Sequence, residues 1–200
     1  MITLDALERL NAYDIILASK SPRRRQLLSG TGLNYRTVNH DDSEEVFPSV
    51  LKREEIPMYL ARAKARNYSK LLVPNTLLIT ADTIVWLDDE VIGKPAGRED
   101  AVNMLMKLSG HMHEVFTGVC IQTIDRESVF HASTKVFFRR LSEEEINYYV
   151  STYEPMDKAG AYGVQEWIGY VAVEHIEGSF YNVMGLPVQK LWCELLKIIE

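Results

Sequence analysis

One stretch of the sequence places an unusual number of cations at the start of a predicted helix. Residues 15–18 form an apolar run typical of a buried strand, and Ser21 followed by Pro22 has the composition of a helix start. The arginine run 23–25 then fills the first turn, where the dipole is already positive and each cation costs about 0.3–1 kcal/mol. Such conflicts concentrate at functional sites. Two interpretations stay open: a solvated basic turn, or a phosphate-binding turn in which free N–H groups and guanidinium groups hold the anion.

Three further residues could act on a bound anion, although each has an ordinary structural explanation. Asp82 stands between the apolar runs 77–80 and 84–87, and ligands of open α/β sheets lie beyond the carboxyl ends of strands. By itself, however, this position favours a turn aspartate or a helix cap. Lys64 lies close to the apolar face of a predicted helix, where a snorkelling lysine is slightly favoured over a phosphate donor. Lys94 closes a short strand, as solvated lysines commonly do.

Two groups of residues could hold a metal ion. The loop 40–45 has the sequence HDDSEE, which indicates either a solvated acidic run or a source of carboxylate oxygens for Mg²⁺. Composition does not choose between them. His111 and His113 would share one face of an extended segment, but two histidines make a weak metal site. Surface or hydrogen-bonded histidines are therefore the favoured interpretation.

The overall composition restricts the classes of partner. The chain has 200 residues, 46% of them hydrophobic, and a net charge of −6, which is typical of a globular protein and argues against general nucleic-acid binding. Cys120 and Cys193 are far apart, which indicates free thiols in a reducing compartment. No apolar run is long enough to span a membrane, and residues 1–11 lack the apolar region of a signal peptide. We therefore expect a cytoplasmic protein without membrane or nucleic-acid partners.

Alternating and helical patterns predict the elements that must position these residues. Ser142 and Glu145 form a capping-box signature, and residues 88–90 are typical of a hairpin turn. Tyr162 and Trp167 are interpreted as core aromatic residues rather than as rings that stack on a base. The predicted strands cover 15–18, 33–38, 77–80, 84–87, 115–124, 128–138 and 171–173, and the predicted helices cover 4–11, 22–30, 56–71, 98–108, 143–151 and 188–199.

Several separated motifs together carry a family resemblance. They are SxSPRRR at 19–25, LAxxKA at 60–65, ADTIV at 81–85, GKP at 93–95, LSGxxH at 108–113, EPMDKAGAYGVQ at 154–165 and NVMGLP at 182–187. In their order and spacing, from Leu17 to the last helix, they resemble the Maf family of nucleoside triphosphate pyrophosphatases. The resemblance implies an α/β fold of the two-lobed Maf/ITPase-like kind, with a mixed, curved central sheet flanked by helices. It also implies that residues 1–200 form a single domain with a cleft between its lobes.

The same resemblance implies a reaction. Maf pyrophosphatases hydrolyse a nucleoside triphosphate between the α and β phosphates, which yields the monophosphate and pyrophosphate and limits misincorporation into nucleic acids. The ADT and GAYGxQ forms are similar to the branch that acts on dTTP and UTP, with modified pyrimidine nucleotides as further substrates. A divalent metal cation is implied, with Mg²⁺ expected first and Mn²⁺ as the alternative. A homodimer is compatible with the family. The alternative function is a nucleotide-sensing regulator of cell division.

The resemblance also implies roles for individual residues. Asp82 is the general base that accepts a proton from water, and Glu45 and Asp82 are metal ligands. Ser43 is an extra residue before Glu44 and Glu45, so that either glutamate could be the site carboxylate. Glu166 and Trp167 follow Gln165 where the family often has small, glycine-rich positions. The phosphate-binding residues are Ser19, Ser21, Arg23, Arg24, Lys64 and Lys94, and the base-selecting residues are Arg23, Thr83 and Gln165.

Overall fold

The structure, a computed structural model, describes residues 2–38 and 46–199. Its helices are α1 (Ile2–Asn11), α2 (Pro22–Ser29), α3 (Glu55–Arg66), α4 (Arg98–Leu108), α5 (Glu143–Tyr153), α6 (Trp167–Ala172), α7 (Phe180–Met184) and α8 (Val188–Ile199). Its strands are β1 (Asp14–Ala18), β2 (Tyr35–Val38), β3 (Thr76–Leu87), β4 (Glu90–Ile92), β5 (Met112–Gln122), β6 (Glu127–Phe138) and β7 (Val173–Glu177). Short 3-10 turns lie at Ser69–Leu71, Pro155–Asp157 and Ala159–Ala161.

The strands form one seven-stranded mixed sheet in the order β2-β1-β3-β5-β6-β7, with β4 paired to β3. β1 is parallel to both β2 and β3, whereas the β3/β4 and β6/β7 pairs are antiparallel. Ile15 lies opposite Leu77, and Leu17 lies opposite Ile79. The prediction of an α/β fold with a mixed central sheet is confirmed.

The chain divides into two compact units. The first comprises Met1–Asp82, Thr117–Ala132 and Gly185–Glu200, and the second comprises Thr83–Phe116 and Ser133–Met184. The chain therefore passes from one unit to the other within β3, β5 and β6 and again between Met184 and Gly185. The prediction of a single domain with one cleft stays a prediction.

Small side chains let a helix of the first unit lie close to the sheet. Ala61 and Ala65 of α3 share a buried cluster with Ile16, Ala18, Leu78 and Cys120. A Cβ atom on Gly118 of β5 would lie only 2.3 Å from the carbonyl carbon and oxygen of Pro57. Glycine is required at this strand position because the backbone of α3 occupies the space of a side chain.

In the second unit, α4 and α5 pack against each other. Ala101, Leu105 and Leu108 of α4 are fully buried, as the spacing predicts. At the start of α5, Ser142 and Glu145 form both bonds of the capping box, which confirms that prediction.

Three predicted boundaries are wrong. The helix predicted over 56–71 ends at Arg66 and is followed by the 3-10 turn at 69–71. The runs 77–80 and 84–87 belong to one continuous strand, β3, in which the carboxylate of Asp82 between them pairs with Lys64. Most of the strand predicted over 171–173 is the end of α6, and β7 begins only at Val173. A three-residue apolar run does not by itself distinguish a strand from a helix.

Both cysteines are free thiols, as predicted, with Cys120 buried and Cys193 exposed. Burial raises the pKa of the Cys120 thiol to about 12, so this side chain acts as an inert core group. Among the helices of the described chain, none has the length and apolar character needed to cross a membrane.

Candidate active site

The turn between β1 and α2 is built by local hydrogen bonds. Ser21 has extended φ and ψ angles, and its hydroxyl accepts a hydrogen bond from the Arg24 backbone N–H at 3.4 Å. Pro22 occupies the first helical position. One turn earlier, the hydroxyl of Ser19 accepts from the Ser21 N–H at 3.2 Å. The predicted helix start is therefore confirmed, and both serine oxygens point at backbone donors of the turn.

The arginine side chains at this helix start are half-buried rather than fully solvated. Arg24 donates from Nε to the Gly185 carbonyl oxygen at 2.8 Å. Arg25 donates from Nε and Nη2 to the Ser19 carbonyl oxygen at 3.2 and 3.0 Å. Gly185 has φ 113°, a conformation that favours glycine, so the NVMGLP motif supplies a carbonyl that orients Arg24. Sequence reasoning missed this role of Gly185 and the structural role of Arg25.

A buried ion pair links α3 to β3. Lys64 donates from Nζ to Oδ1 of Asp82, and the two side chains are only 11% and 5% exposed. Two residues earlier on the same strand face, Thr80 donates to the Ala61 carbonyl oxygen at 2.6 Å. Ala61 and Lys64 lie three residues apart on one helix face. The pair of bonds therefore fixes the helix face that carries Lys64 against the strand face that carries Asp82.

These contacts correct two of the structural interpretations made above. Lys64 does not snorkel to solvent, because its ammonium group lies against a buried carboxylate. Asp82 is neither a turn residue nor a helix cap, because it lies in the middle of β3. A charged residue in mid-strand is tolerated when a cation of opposite charge faces it.

The basic helix start and Asp82 lie toward the same end of two neighbouring parallel strands. Leu17 pairs with Ile79, so the chain leaves β1 one residue beyond this pair, whereas Asp82 lies three residues beyond it on β3. Both groups belong to the first unit. The carboxyl ends of adjacent parallel strands are where α/β folds commonly bind ligands.

Three predicted site residues, Thr83, Lys94 and Gln165, belong to the second unit. Thr83 follows Asp82 and lies on the opposite face of the strand. Lys94 is exposed just after β4. Gln165 has a buried carbonyl oxygen, Oε1, for which the described residues provide no hydrogen-bond donor. The acidic loop with Glu44 and Glu45 lies outside the described residues.

A partly buried group of charges, in which Lys158 faces two acidic side chains, lies beside Gln165. Lys158 donates to Asp157 at 2.8 Å and lies 3.2 Å from Oε1 of Glu166. The hydroxyl of Tyr149 donates to the other oxygen of Glu166 and accepts from the Gly163 N–H at 3.0 Å. Burial and the Glu166 carboxylate raise the pKa of Tyr149 far above its ordinary range, so the hydroxyl stays protonated. Sequence reasoning missed this network, and only the bulk of Glu166 at a usually small position pointed to it.

His113 is a hydrogen-bonded core residue. It is fully buried, and its Nε2 shares a hydrogen bond of 2.7 Å with the Tyr162 hydroxyl. Phe138 contacts the imidazole edge to face. Burial lowers the pKa of His113 to about 3. The favoured interpretation of a hydrogen-bonded histidine is confirmed, as is the core position of Tyr162.

The buried imidazole predicts a loss of stability in acid. Because the unfolded chain binds a proton near pH 6.5 and the folded chain does so only near pH 3, stability from this group is complete above pH 6.5 and falls as the pH drops toward 3. We expect the free energy of unfolding, measured with urea, to fall between pH 7 and pH 5 by about 2 kcal/mol more in the parent protein than in His113→Gln. Equal losses in both proteins would contradict a neutral buried His113.

Comparisons with known proteins agree with the motif pattern. A family model described as "Maf-like protein" matches residues 14–198. A protein of Bacteroides thetaiotaomicron named dTTP/UTP pyrophosphatase is 58% identical over 192 residues, which are 96% of this chain and 100% of the relative. A protein of Porphyromonas gingivalis strain W83 with the same name is 51% identical over 191 residues, 94% of this chain and 96% of the relative. The solved structure of a HAM1 protein from Coxiella burnetii aligns with 92% of this chain and 99% of its own at 14% identity, with a TM-score of 0.49.

Proposed function

The chain belongs to the Maf family, and on that premise we propose that it hydrolyses dTTP and UTP between the α and β phosphates. The products are the nucleoside monophosphate and pyrophosphate. The observation that carries this proposal is the buried Lys64–Asp82 ion pair. Asp82 lies toward the carboxyl end of β3, the same end of the parallel strands at which β1 leads into the basic start of α2. This supports a site in which a carboxylate that can accept a proton acts together with donors suited to a polyphosphate.

The phosphates are bound by the start of α2 and by two lysines. The start of α2 offers backbone N–H groups, the hydroxyl groups of Ser19 and Ser21, and the guanidinium groups of Arg23 and Arg24. A triphosphate carries about four negative charges, which have to be met by several cations and a metal ion. Lys64 and Lys94 supply further ammonium groups.

Asp82 accepts the proton of the attacking water. A carboxylate has to be ionised for this role, and the ammonium group of Lys64 stabilises the ionised form. The oxygen of water then bonds to the α phosphorus. The bond from the α phosphorus to the oxygen that bridges it to the β phosphate breaks, and pyrophosphate leaves. Lys64 has three N–H donors and can therefore contact Asp82 and a phosphate oxygen together.

A divalent cation, Mg²⁺ or Mn²⁺, fits the chemistry of this site. Mg²⁺ at phosphate sites is bound by one or two carboxylates together with substrate oxygens and water. Asp82 is one such carboxylate, and Glu45 is the proposed second. Within residues 2–38 and 46–199, no group of three His, Cys, Asp or Glu side chains could hold an ion. Substrate oxygens and water are proposed as the remaining ligands. When bound, the cation neutralises phosphate charge and acidifies water.

The base is selected by Arg23, Thr83 and Gln165. An amide side chain carries both a hydrogen-bond donor and an acceptor and can therefore form hydrogen bonds with the edge of a pyrimidine base. The relatives are named for dTTP and UTP, and their substrates are proposed for this chain on that basis.

A nucleotide panel with product identification tests the proposed function. The protein is incubated with dTTP, UTP, CTP, ATP and GTP in the presence of Mg²⁺, and the products are separated by ion-exchange chromatography. We expect dTMP or UMP together with pyrophosphate, and no turnover after chelation with EDTA. Release of orthophosphate and a nucleoside diphosphate, or no turnover of any nucleotide, would contradict the proposal.

Arg24→Ala is expected to raise the KM for dTTP by roughly 10- to 100-fold, the scale of losing a charge-assisted hydrogen bond to phosphate. Steady-state kinetics measure this change. Arg36→Ala is the matched control, because it removes one positive charge from an exposed pair with Asp14 in the same unit. A KM that stays at the parent value in Arg24→Ala, or rises equally in Arg36→Ala, would remove Arg24 from phosphate binding.

A further inference from the structure

We propose that Glu166 is a positioning residue for base selection, because its carboxylate fixes the orientation of the Gln165 amide and leaves the amide oxygen to face the base. This inference rests on the proposed function.

Both carboxylate oxygens of Glu166 contact other side chains of the protein. Its Oε2 accepts from the Tyr149 hydroxyl. Its Oε1 lies 3.2 Å from the Lys158 ammonium nitrogen and 3.5 Å from Nε2 of Gln165. Lys158 is only 9% exposed and Glu166 19%. An ionised carboxylate clamped between a buried lysine and a tyrosine has little freedom to turn away from Gln165.

The charge of Glu166 determines which end of the amide faces it. A carboxylate oxygen accepts hydrogen bonds and does not donate them, so it attracts the NH₂ end of Gln165 and repels the carbonyl end. The orientation in the structure satisfies this condition. The carbonyl oxygen Oε1 is left buried, and the described residues provide it with no donor. A buried acceptor without a partner is unfavourable unless a ligand supplies the donor.

Gly163 provides the space for this arrangement. A Cβ atom at this position would lie 2.7 Å from Cδ of Glu166 and 2.8 Å from Nε2 of Gln165. The backbone N–H of Gly163 is itself bound by the Tyr149 hydroxyl. The amide and the carboxylate are therefore packed together over a residue that has no side chain.

The Gln165 carbonyl oxygen, which lacks a donor among the described residues, selects bases by their hydrogen-bonding edge. Uracil and thymine carry an N–H group at N3, and the Gln165 carbonyl oxygen can accept a hydrogen bond from it. Cytosine carries an unprotonated nitrogen at N3, so that two acceptors would face each other. A fixed amide therefore favours UTP and dTTP over CTP, whereas an amide free to turn would present its NH₂ group to cytosine.

Glu166→Gln tests the proposal, with the ratio of kcat/KM for UTP to that for CTP as the readout. Because a glutamine at 166 can face either end of the Gln165 amide, we expect the ratio to fall by about tenfold, the scale of one hydrogen bond. Glu145→Gln is the matched control, since it makes the same change in a glutamate of the second unit that pairs with Arg139. We expect the control to keep the parent ratio.

Two further variants exclude a merely structural role. Gly163→Ala would press its Cβ atom against the Glu166 carboxylate and the Gln165 amide, and, assayed at a temperature at which circular dichroism shows it folded, it should lower the ratio by a similar factor. In a Gln165→Leu background, Glu166→Gln should have no additional effect on the ratio. The proposal is overturned if folded Glu166→Gln and Gly163→Ala keep the parent ratio, or if Glu166→Gln acts equally without Gln165. Absence of turnover in the parent protein would instead refute the proposed function.

Discussion

Replacing Asp82 with asparagine is expected to lower kcat for dTTP by about 10²- to 10⁴-fold, the range that a positioned general base contributes. Asparagine keeps the shape of the side chain but cannot accept the proton of the attacking water. The carboxylate lies buried against Lys64, so the loss concerns both the proton acceptor and the charge opposite the lysine. Steady-state kinetics with dTTP and Mg²⁺ measure the change.

Stability and catalysis have to be separated in this variant. Breaking a buried ion pair costs up to about 3–5 kcal/mol, so Asp82→Asn is assayed at a temperature at which circular dichroism shows it folded. A folded variant with kcat within tenfold of the parent value would remove Asp82 from the role of base.

Replacing Gly118 with alanine is expected to lower the free energy of unfolding by about 3 kcal/mol and the melting temperature by roughly 6–12 °C. The added Cβ would lie 2.3 Å from the Pro57 carbonyl group and 2.4 Å from the Met58 nitrogen. These are backbone atoms of α3, so the clash is relieved only if the helix moves away from β5. Urea unfolding followed by circular dichroism measures the loss.

Gly93→Ala is the control for this substitution. A Cβ atom at Gly93 would have no neighbour within 4 Å. We therefore expect the free energy of unfolding of Gly93→Ala to stay within about 0.5 kcal/mol of the parent value. A loss in Gly118→Ala no larger than that in Gly93→Ala would show that α3 does not lie against β5 as described.

Much of the local structure could be predicted because it depends on neighbours in the sequence. The start of α2 at Pro22 and the capping box of α5 were both predicted and are confirmed. Each is fixed by hydrogen bonds between residues two or three positions apart. The spacing of apolar side chains, together with Gly110 as a stop, likewise predicts a helix over 98–108, and α4 has these bounds.

The chemistry of the candidate site needed contacts that no local pattern contains. Lys64 was expected to snorkel from its position near an apolar helix face, whereas its partner Asp82 lies 18 residues away on a strand. Arg24 is oriented by the Gly185 carbonyl, 161 residues away. The motifs named these residues as candidates, but the partner of each one depends on which elements pack together.

Motif order and helix-start chemistry are properties of the linear chain, and they were enough to assign the family, the reaction and the residues proposed for it. How those residues are held depends on contacts between distant elements: the lysine lies against the buried aspartate, the arginine against a glycine carbonyl, and the Gln165 amide against Glu166. These contacts matter because a buried charge or amide is stable only beside a specific partner. Packing of distant segments, rather than spacing in the sequence, brings that partner into place.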